Sequence, residues 1–307
     1  MDFRKGLMLA LLTALLSGIS VFANGIAVKG FDPFVFTTMK NVVVVIAIFA
    51  VVLAISERKA LFSLTRFQWT KLALIGAIGG SVPFLLFFWG ISISSGAVSS
   101  SIYRLLFVFA TAISVFALKE SVNRKYLLGG ALAVIGSLLL LNGNISFGFG
   151  EFLVLLASIL WAIEFNISKK VLAEISPKMV AFGRMFFGSI ILIAFIFAIG
   201  KIDLLFVFST SVQLEWFVIT SLFLGAYLLS WYPALKDLPV SVATPVLALG
   251  GVVSSILSII FLGKAISPIE TLGMLVFAIG VAIMANLHSF IIQLVGKTPS
   301  NACADAK

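Results

Sequence analysis

Residues Val42–Leu53 read VVVVIAIFAVVL, an unbroken apolar run. A membrane-barrel strand turns alternate side chains to lipid and lumen, so its sequence alternates polarity over about 10 residues. This run does not alternate. A helix satisfies its backbone hydrogen bonds internally, so lipid can surround it on all sides. The run therefore predicts a spanning helix. Extended outward it covers Phe34–Ile55, enough to cross about 30 Å of hydrocarbon.

The same reading predicts nine more spans: Gly6–Val28, Leu72–Ile93, Ala97–Leu118, Tyr126–Leu141, Glu151–Val171, Val180–Ile199, Trp216–Leu235, Val240–Leu262 and Pro268–Leu287. Tyr126–Leu141 is the short one, reaching about 24 Å as a helix. Composition agrees. Of 307 residues 61 % are hydrophobic and 11 % charged, with mean hydropathy +1.21. A soluble chain of this size cannot hide that much apolar surface, and disorder needs the opposite composition. The expectation is an all-α integral membrane protein with ten transmembrane helices, multi-pass in the cell membrane.

Loop charges set the orientation. With the N-terminus inside, fifteen basic residues fall on inside segments: Arg4, Lys5, Arg58, Lys59, Arg66, Lys71, Lys119, Arg124, Lys125, Lys169, Lys170, Lys178, Lys236, Lys297 and Lys307. Three fall outside: Lys29, Lys201 and Lys264. Basic residues concentrate on cytoplasmic loops, so both termini are expected in the cytoplasm. The same rule accounts for the net charge of +9 without a nucleic-acid partner. Arg4 and Lys5, the apolar run after them and Ala23-Asn24-Gly25 also have the form of a secretory signal. Its removal would break the repeat described next, so the helix is expected to stay.

Offset by 144 residues, the two halves align without a gap. Gly6 meets Gly150, Pro33 meets Pro177, and Lys40 meets Arg184. Gly129, Gly136 and Asn142 meet Gly273, Gly280 and Asn286. Apolar matches are cheap in this composition; matches at Gly, Pro, Asn and an in-membrane cation are not. Five spans per half is an odd number, so the second half is inverted. Inverted repeats build two mirrored gates around a midplane site in many secondary transporters. Residues 1–143 form the first repeat, 144–150 a linker, 151–290 the second repeat and 291–307 a cytoplasmic tail.

The fourth span ends in Ala117-Leu118-Lys119-Glu120, with Gly129 and Gly136 following on the fifth. The sixth carries Trp161-Ala162, then Lys169-Lys170. In this order the motifs resemble the EamA-like family of the drug/metabolite transporter superfamily, over about Gly6–Leu287. The resemblance implies two five-helix repeats and metabolite export or exchange, with amino-acid-like, nucleobase-like or organic-cation substrates. The chain departs from the pattern where Lys264 replaces the acidic residue of the second half, and where Pro245 has no proline counterpart beside Tyr103 and Arg104.

Polar residues recur at helical spacing on five spans, each on one face. They are Thr13, Ser17, Ser20 and Asn24; Ser100, Tyr103, Phe107, Thr111 and Ser114; Ser158, Trp161, Glu164 and Ser168; Thr220, Tyr227, Ser230 and Trp231; and Thr244, Ala248, Gly251, Ser255 and Ser258. A single Ser or Thr reads as packing, because it can bond to its own backbone. Five stripes together read as a watery cavity. The substrate-cavity candidates are Asn24, Trp89, Tyr103, Arg104, Trp161, Glu164, Tyr227, Ser230 and Trp231. The fifth and tenth spans carry glycines instead and should pack closely.

Charges in lipid are costly unless paired or wet. Lys40 and Arg104 lie on the outer side, and Glu164 and Arg184 meet at similar depth on the inner side. Lys40, Glu164 and Arg184 are candidate gates; for the cations the plain alternative is snorkelling. Pro83, Pro245 and Gly251 are candidate hinges. His288 and the single cysteine, Cys303, lie near or in the tail. No paired carboxylates, phosphate loop or metal-ligand spacing occurs, so neither an enzyme nor a cofactor is expected. The function expected is a secondary transporter of a small-molecule substrate, with a proton or exchanged solute as coupling partner, acting in the lipid bilayer as monomer or homodimer. The alternative is a flippase for a lipid or lipid-linked sugar. Reporter fusions after Asn144 should read outside and after Lys297 inside; a reversed pair would overturn the topology.

Overall fold

The computed structural model describes residues 2–28, 31–54, 61–94, 96–143, 147–263 and 265–287. Lys29, Arg58, Lys59, Lys264, His288, Lys297, Cys303 and Lys307 lie outside the described residues, as do Asn144 in the linker and the tail 291–307. Helix starts follow capping chemistry. Asp2 accepts from the amide of Lys5, Asn123 from Tyr126 and Ser176 from Met179. Thr65 with Gln68 and Ser267 with Glu270 form capping boxes, which satisfy amides the helix leaves open.

In chain order the helices are α1 (Phe3–Ala27), α2 (Pro33–Ala54), α3 (Arg66–Ile93), α4 (Val98–Ala117), α5 (Arg124–Leu139), α6 (Phe149–Val171), α7 (Pro177–Ala198), α8 (Ser211–Asp237), α9 (Val240–Leu262) and α10 (Pro268–Met284). A 3₁₀ turn, Ile202–Leu204, lies between α7 and α8. Among the described residues, eight of these helices are long and apolar enough to cross a membrane. The protein is a multi-pass integral membrane protein. The other two, α5 and α10, have 16 and 17 residues.

The backbone repeats the sequence offset. Helix α4 breaks at Leu105 and α9 at Leu249. They end at left-handed residues, Lys119 (φ 56°) and Gly263 (φ 61°). Asn142 (φ 47°) and Asn286 (φ 51°) follow α5 and α10 in the same conformation, which asparagine tolerates better than most residues. Every one of these pairs is 144 residues apart.

Packing follows the same two-fold logic. Helix α1 lies on α8 as α6 lies on α3, and α1 also meets α9 as α6 meets α4. A Cβ on Gly6 would strike Asp237 and Leu238; one on Gly150 would strike Ile93 and Ser94, their counterparts. Helices α2 and α7 pair with each other, as do α5 and α10. In the latter pair Gly129 faces the Gly280 carbonyl and Gly136 faces that of Gly273. Helices approach this closely in lipid only where side chains are absent, and the gain is dispersion contact.

An alanine methyl at Gly129 would lie 2.7 Å from the Gly280 carbonyl oxygen, whereas Gly25 has open space around it. Gly129→Ala should destabilise by about 1–3 kcal/mol and lower the melting temperature in detergent. Gly25→Ala should leave that temperature unchanged or raise it, since alanine is the better helix former.

Candidate functional site

Pro83 has no N–H, and in an α-helix that N–H would bond to the carbonyl of Gly79. The helix widens just before it, into a π-type stretch over Gly76–Ser81, with Val82 N–H reaching back to Ala77. Side chains from other helices donate to two carbonyls of this stretch. Trp161 Nε1 of α6 and Arg184 Nη2 of α7 both donate to Gly79 O, at 3.1 and 3.0 Å. Asn41 Nδ2 of α2 donates to Gly80 O at 3.0 Å. Glycine is required here, since a Cβ on Gly79 would lie 2.5 Å from Glu164 Cγ.

Arg184 and Glu164 are both buried, and Nη1 stands 3.4 Å from Oε2. Glu164 Oε1 accepts from Ser168 Oγ at 2.5 Å and from the Tyr232 hydroxyl at 3.0 Å. The Tyr232 oxygen in turn accepts from Arg184 Nη1 at 3.3 Å. Tyr103 and Tyr227 lie within electrostatic range of the guanidinium. One cation thus joins α3, α6, α7 and α8. Paired, hydrogen-bonded charges of this kind are tolerated in a low-dielectric interior; a single one is not.

The first repeat carries the inverted counterpart. The offset maps Ser20 to Glu164, Asn24 to Ser168 and Lys40 to Arg184. Lys40 is 6 % exposed and donates to Asn24 Oδ1 at 2.6 Å, with its ammonium 5.0 Å from the Phe36 ring centre. Asn24 Nδ2 donates to Ser20 Oγ at 3.3 Å. Among the described residues no carboxylate pairs with Lys40, because serine stands where the second repeat has Glu164.

Aromatic side chains gather beside the Gly79 carbonyl. Trp161 meets Phe84, Phe87 and Tyr103 with ring centres 5.2–5.6 Å apart. A second group joins Trp231 to Phe165 at 4.8 Å and, stacked, to Tyr227 at 6.4 Å. Trp231 is fully buried and its Nε1 has no hydrogen-bond partner. Ser230 Oγ accepts from Thr13 Oγ1 at 2.8 Å, linking α8 to α1. Trp89 stands apart from both groups, 47 % exposed and edge-on to Phe149. Arg104 reaches from α4 to α9, donating to Ser255 Oγ at 3.3 Å beside Gly251. Many stripe hydroxyls, including those of Ser158, Thr220, Thr244, Ser255 and Ser258, also donate to carbonyls of their own helix.

The two halves of α9 differ. In Val240–Ala248, which contains Pro245, seven residues are buried; in Gly250–Leu262 only Gly250 is. Two charged groups hold the turn from α8 into the buried half. The Glu120 carboxylate accepts from the amides of Val240 and Ser241 at 2.8 and 2.9 Å. Lys169 Nζ donates to the carbonyls of Leu235, Lys236 and Leu238 at 2.8–2.9 Å. An anion at a helix N-terminus and a cation at a helix C-terminus both complement the backbone dipole. Among the described residues, the half of α9 at the end bearing Lys119, Lys169 and Lys236 is thus the buried one, and the other half is the more exposed.

A family model described as the EamA-like transporter family matches residues 4–142 and again 148–286. The chain belongs to the EamA-like transporter family. It is thus a membrane transporter of the drug/metabolite transporter superfamily, and the double match coincides with the two repeats. A solved structure titled only "Crystal structure of protein" is similar in fold, with 15 % identity, 93 % of this chain and 98 % of that one covered, and TM-score 0.76. No curated protein matches the sequence.

Of the candidates, the structure gathers Glu164, Arg184, Tyr103, Trp161 and Tyr227 around one network, puts Lys40 with Asn24 at the mirrored place, and leaves Trp89 outside both. Asn41, Phe84, Phe87 and Phe165 were not singled out from the sequence. Asn41 had a legible signal, an amide inside an apolar span; the phenylalanines had none among thirty of their kind. Removing one member of the buried pair leaves an uncompensated charge. Arg184→Met or Glu164→Gln alone should each cost about 3–5 kcal/mol, and the double variant less than either. Thermal unfolding of the four proteins in detergent measures this.

Proposed function

We propose that this family member is a secondary transporter that moves a small organic metabolite across the cytoplasmic membrane by alternating access, in export or exchange. The reading takes ten spans with both termini cytoplasmic, as the loop charges indicate. One observation carries it: the α9 half at the basic end is buried, with Glu120 on its first amides and Lys169 on the end of α8 before it, while its other half is more exposed. That asymmetry supports access from one side only. An inverted repeat supplies the complementary state, because each half can adopt the conformation of the other.

In this mechanism the Glu164–Arg184–Tyr232 network is the inner gate. It closes against the Gly79 carbonyl, in the π-type stretch before Pro83, and must part before the inner side opens. The breaks at Leu105 and Leu249 act as the points where α4 and α9 bend, with Pro245 and Gly251 flanking the second. Counterflow of radiolabelled solutes in proteoliposomes tests the reading. Glu164→Gln should slow exchange by about tenfold or more, the scale of one lost charged hydrogen bond, and Glu120→Gln should slow it less. Equal, normal rates in both variants would remove Glu164 from the mechanism.

A further inference from the structure

Where α4 gives way to α5, the chain borders a cavity of about 560 Å³. Its walls come from the α4–α5 link, the first turn of α5, the start of α9 and the end of α10. Lys119, Asn123, Lys125 and Ser241 line it, and Val242 and Ile283 give it an apolar edge. Glu164, Arg184 and Tyr232 do not line it, so the space is separate from their network.

The polar groups on its walls are donors without acceptors. Ser241 is 4 % exposed, and among the described residues its hydroxyl has no partner. The ammonium groups of Lys119 and Lys125, both exposed, have no hydrogen bond or ion pair among the described residues either. Asn123 Oδ1 accepts from the amide of Tyr126, which leaves Nδ2 to donate. Glu120, the carboxylate among the lining residues, is already held by the amides of Val240 and Ser241. The link also leads into the N-terminus of α5, where the backbone dipole favours an anion. The repeat does not call for this set of donors. The offset places Gly263, Ile269 and Ala97 opposite Lys119, Lys125 and Ser241. The gathering of basic residues on inside segments accounts for the lysines, but not for the cavity or for a buried hydroxyl on its wall.

A negative group with several acceptor oxygens completes these donors, and phosphate is such a group. The surroundings decide what carries it. Next to the cavity, Leu127 and Leu128 of α5 and Ile279 and Ile283 of α10 are 39–66 % exposed. On membrane-spanning helices such side chains face acyl chains. We propose that the cavity binds the phosphate of an anionic phospholipid. Lys119 and Lys125 meet its charge, Ser241 Oγ and Asn123 Nδ2 donate to its oxygens, and its acyl chains lie along α5 and α10. Basic pockets between spanning helices take lipid headgroups in this way. The site goes beyond the transporter reading and does not depend on it.

The test uses the purified full chain in detergent with three probes: dioleoylphosphatidylglycerol, dioleoylphosphatidylcholine and glycerol 3-phosphate. Thermal shift and native mass spectrometry read binding. Phosphatidylglycerol should bind and raise the melting temperature; phosphatidylcholine, whose headgroup carries a cation, should bind more weakly, and glycerol 3-phosphate more weakly still. The double variant Lys119→Gln/Lys125→Gln should weaken phosphatidylglycerol binding about thirtyfold, the scale of two charges near a membrane surface. Lys170→Gln/Lys236→Gln removes two exposed lysines from the same end but outside the cavity, and should leave binding unchanged. Ser241→Ala removes a hydroxyl without a partner, so the melting temperature without lipid should not fall, yet phosphatidylglycerol should bind about tenfold more weakly. Unchanged binding in either cavity variant, or equal loss in the two lysine pairs, would overturn the site. Equal binding of the two lipids would overturn the recognition of charge. Glycerol 3-phosphate bound as tightly as phosphatidylglycerol would overturn the lipid and assign the cavity to a soluble phosphate ester.

Discussion

An arginine set among apolar helices must be answered by the protein itself, because lipid offers neither water nor counter-ions. Arg184 is answered three times, by the carboxylate of Glu164, the hydroxyl of Tyr232 and the carbonyl of Gly79. The third partner lies in the π-type stretch just before Pro83. Much of the basic half of the bundle is arranged around this one guanidinium. Trp161 shares its acceptor, Asn41 takes the next carbonyl, and the glycines of the π-type stretch let α6 and α7 come close enough to reach it.

The inverted counterpart shows what the repeat conserves and what it lets vary. Both halves keep a cation on their second helix and a polar cluster on their first, four residues apart. One half has Glu164 and Ser168, the other Ser20 and Asn24. Geometry is retained and charge is not. A strictly symmetric molecule would repeat the ion pair; this one has Arg184 beside Glu164 in one half and a lysine held by an amide in the other.

Several helix pairs pack through small residues. Helices α5 and α10 meet through Gly129, Gly136, Gly273 and Gly280, each facing a carbonyl of the partner helix. Helices α1 and α9 approach through Gly18 and Gly250. In lipid there is little hydrophobic gain from bringing two apolar helices together, so close backbone approach supplies the attraction. Three helices are different: α3, α4 and α9 are each interrupted, by a π-type stretch or by a single break.

The sequence by itself determined the long apolar helices, the offset of 144 residues and the family, because lipid forces long apolar runs and a duplicated chain keeps its glycines, prolines and asparagines in register. It also marked the in-membrane charges, because so few occur. It did not tell which aromatic rings gather. Trp89 and Trp161 look alike as tryptophans within spans, yet one borders the surface beside Phe149 and the other bonds to Gly79. Tertiary structure alone decided that. The partners of Lys40, Arg104 and Arg184 come from helices 16 to 151 residues distant in the chain. Whether a buried cation is neutralised depends on which groups folding brings within about 4 Å, a distance no sequence spacing sets.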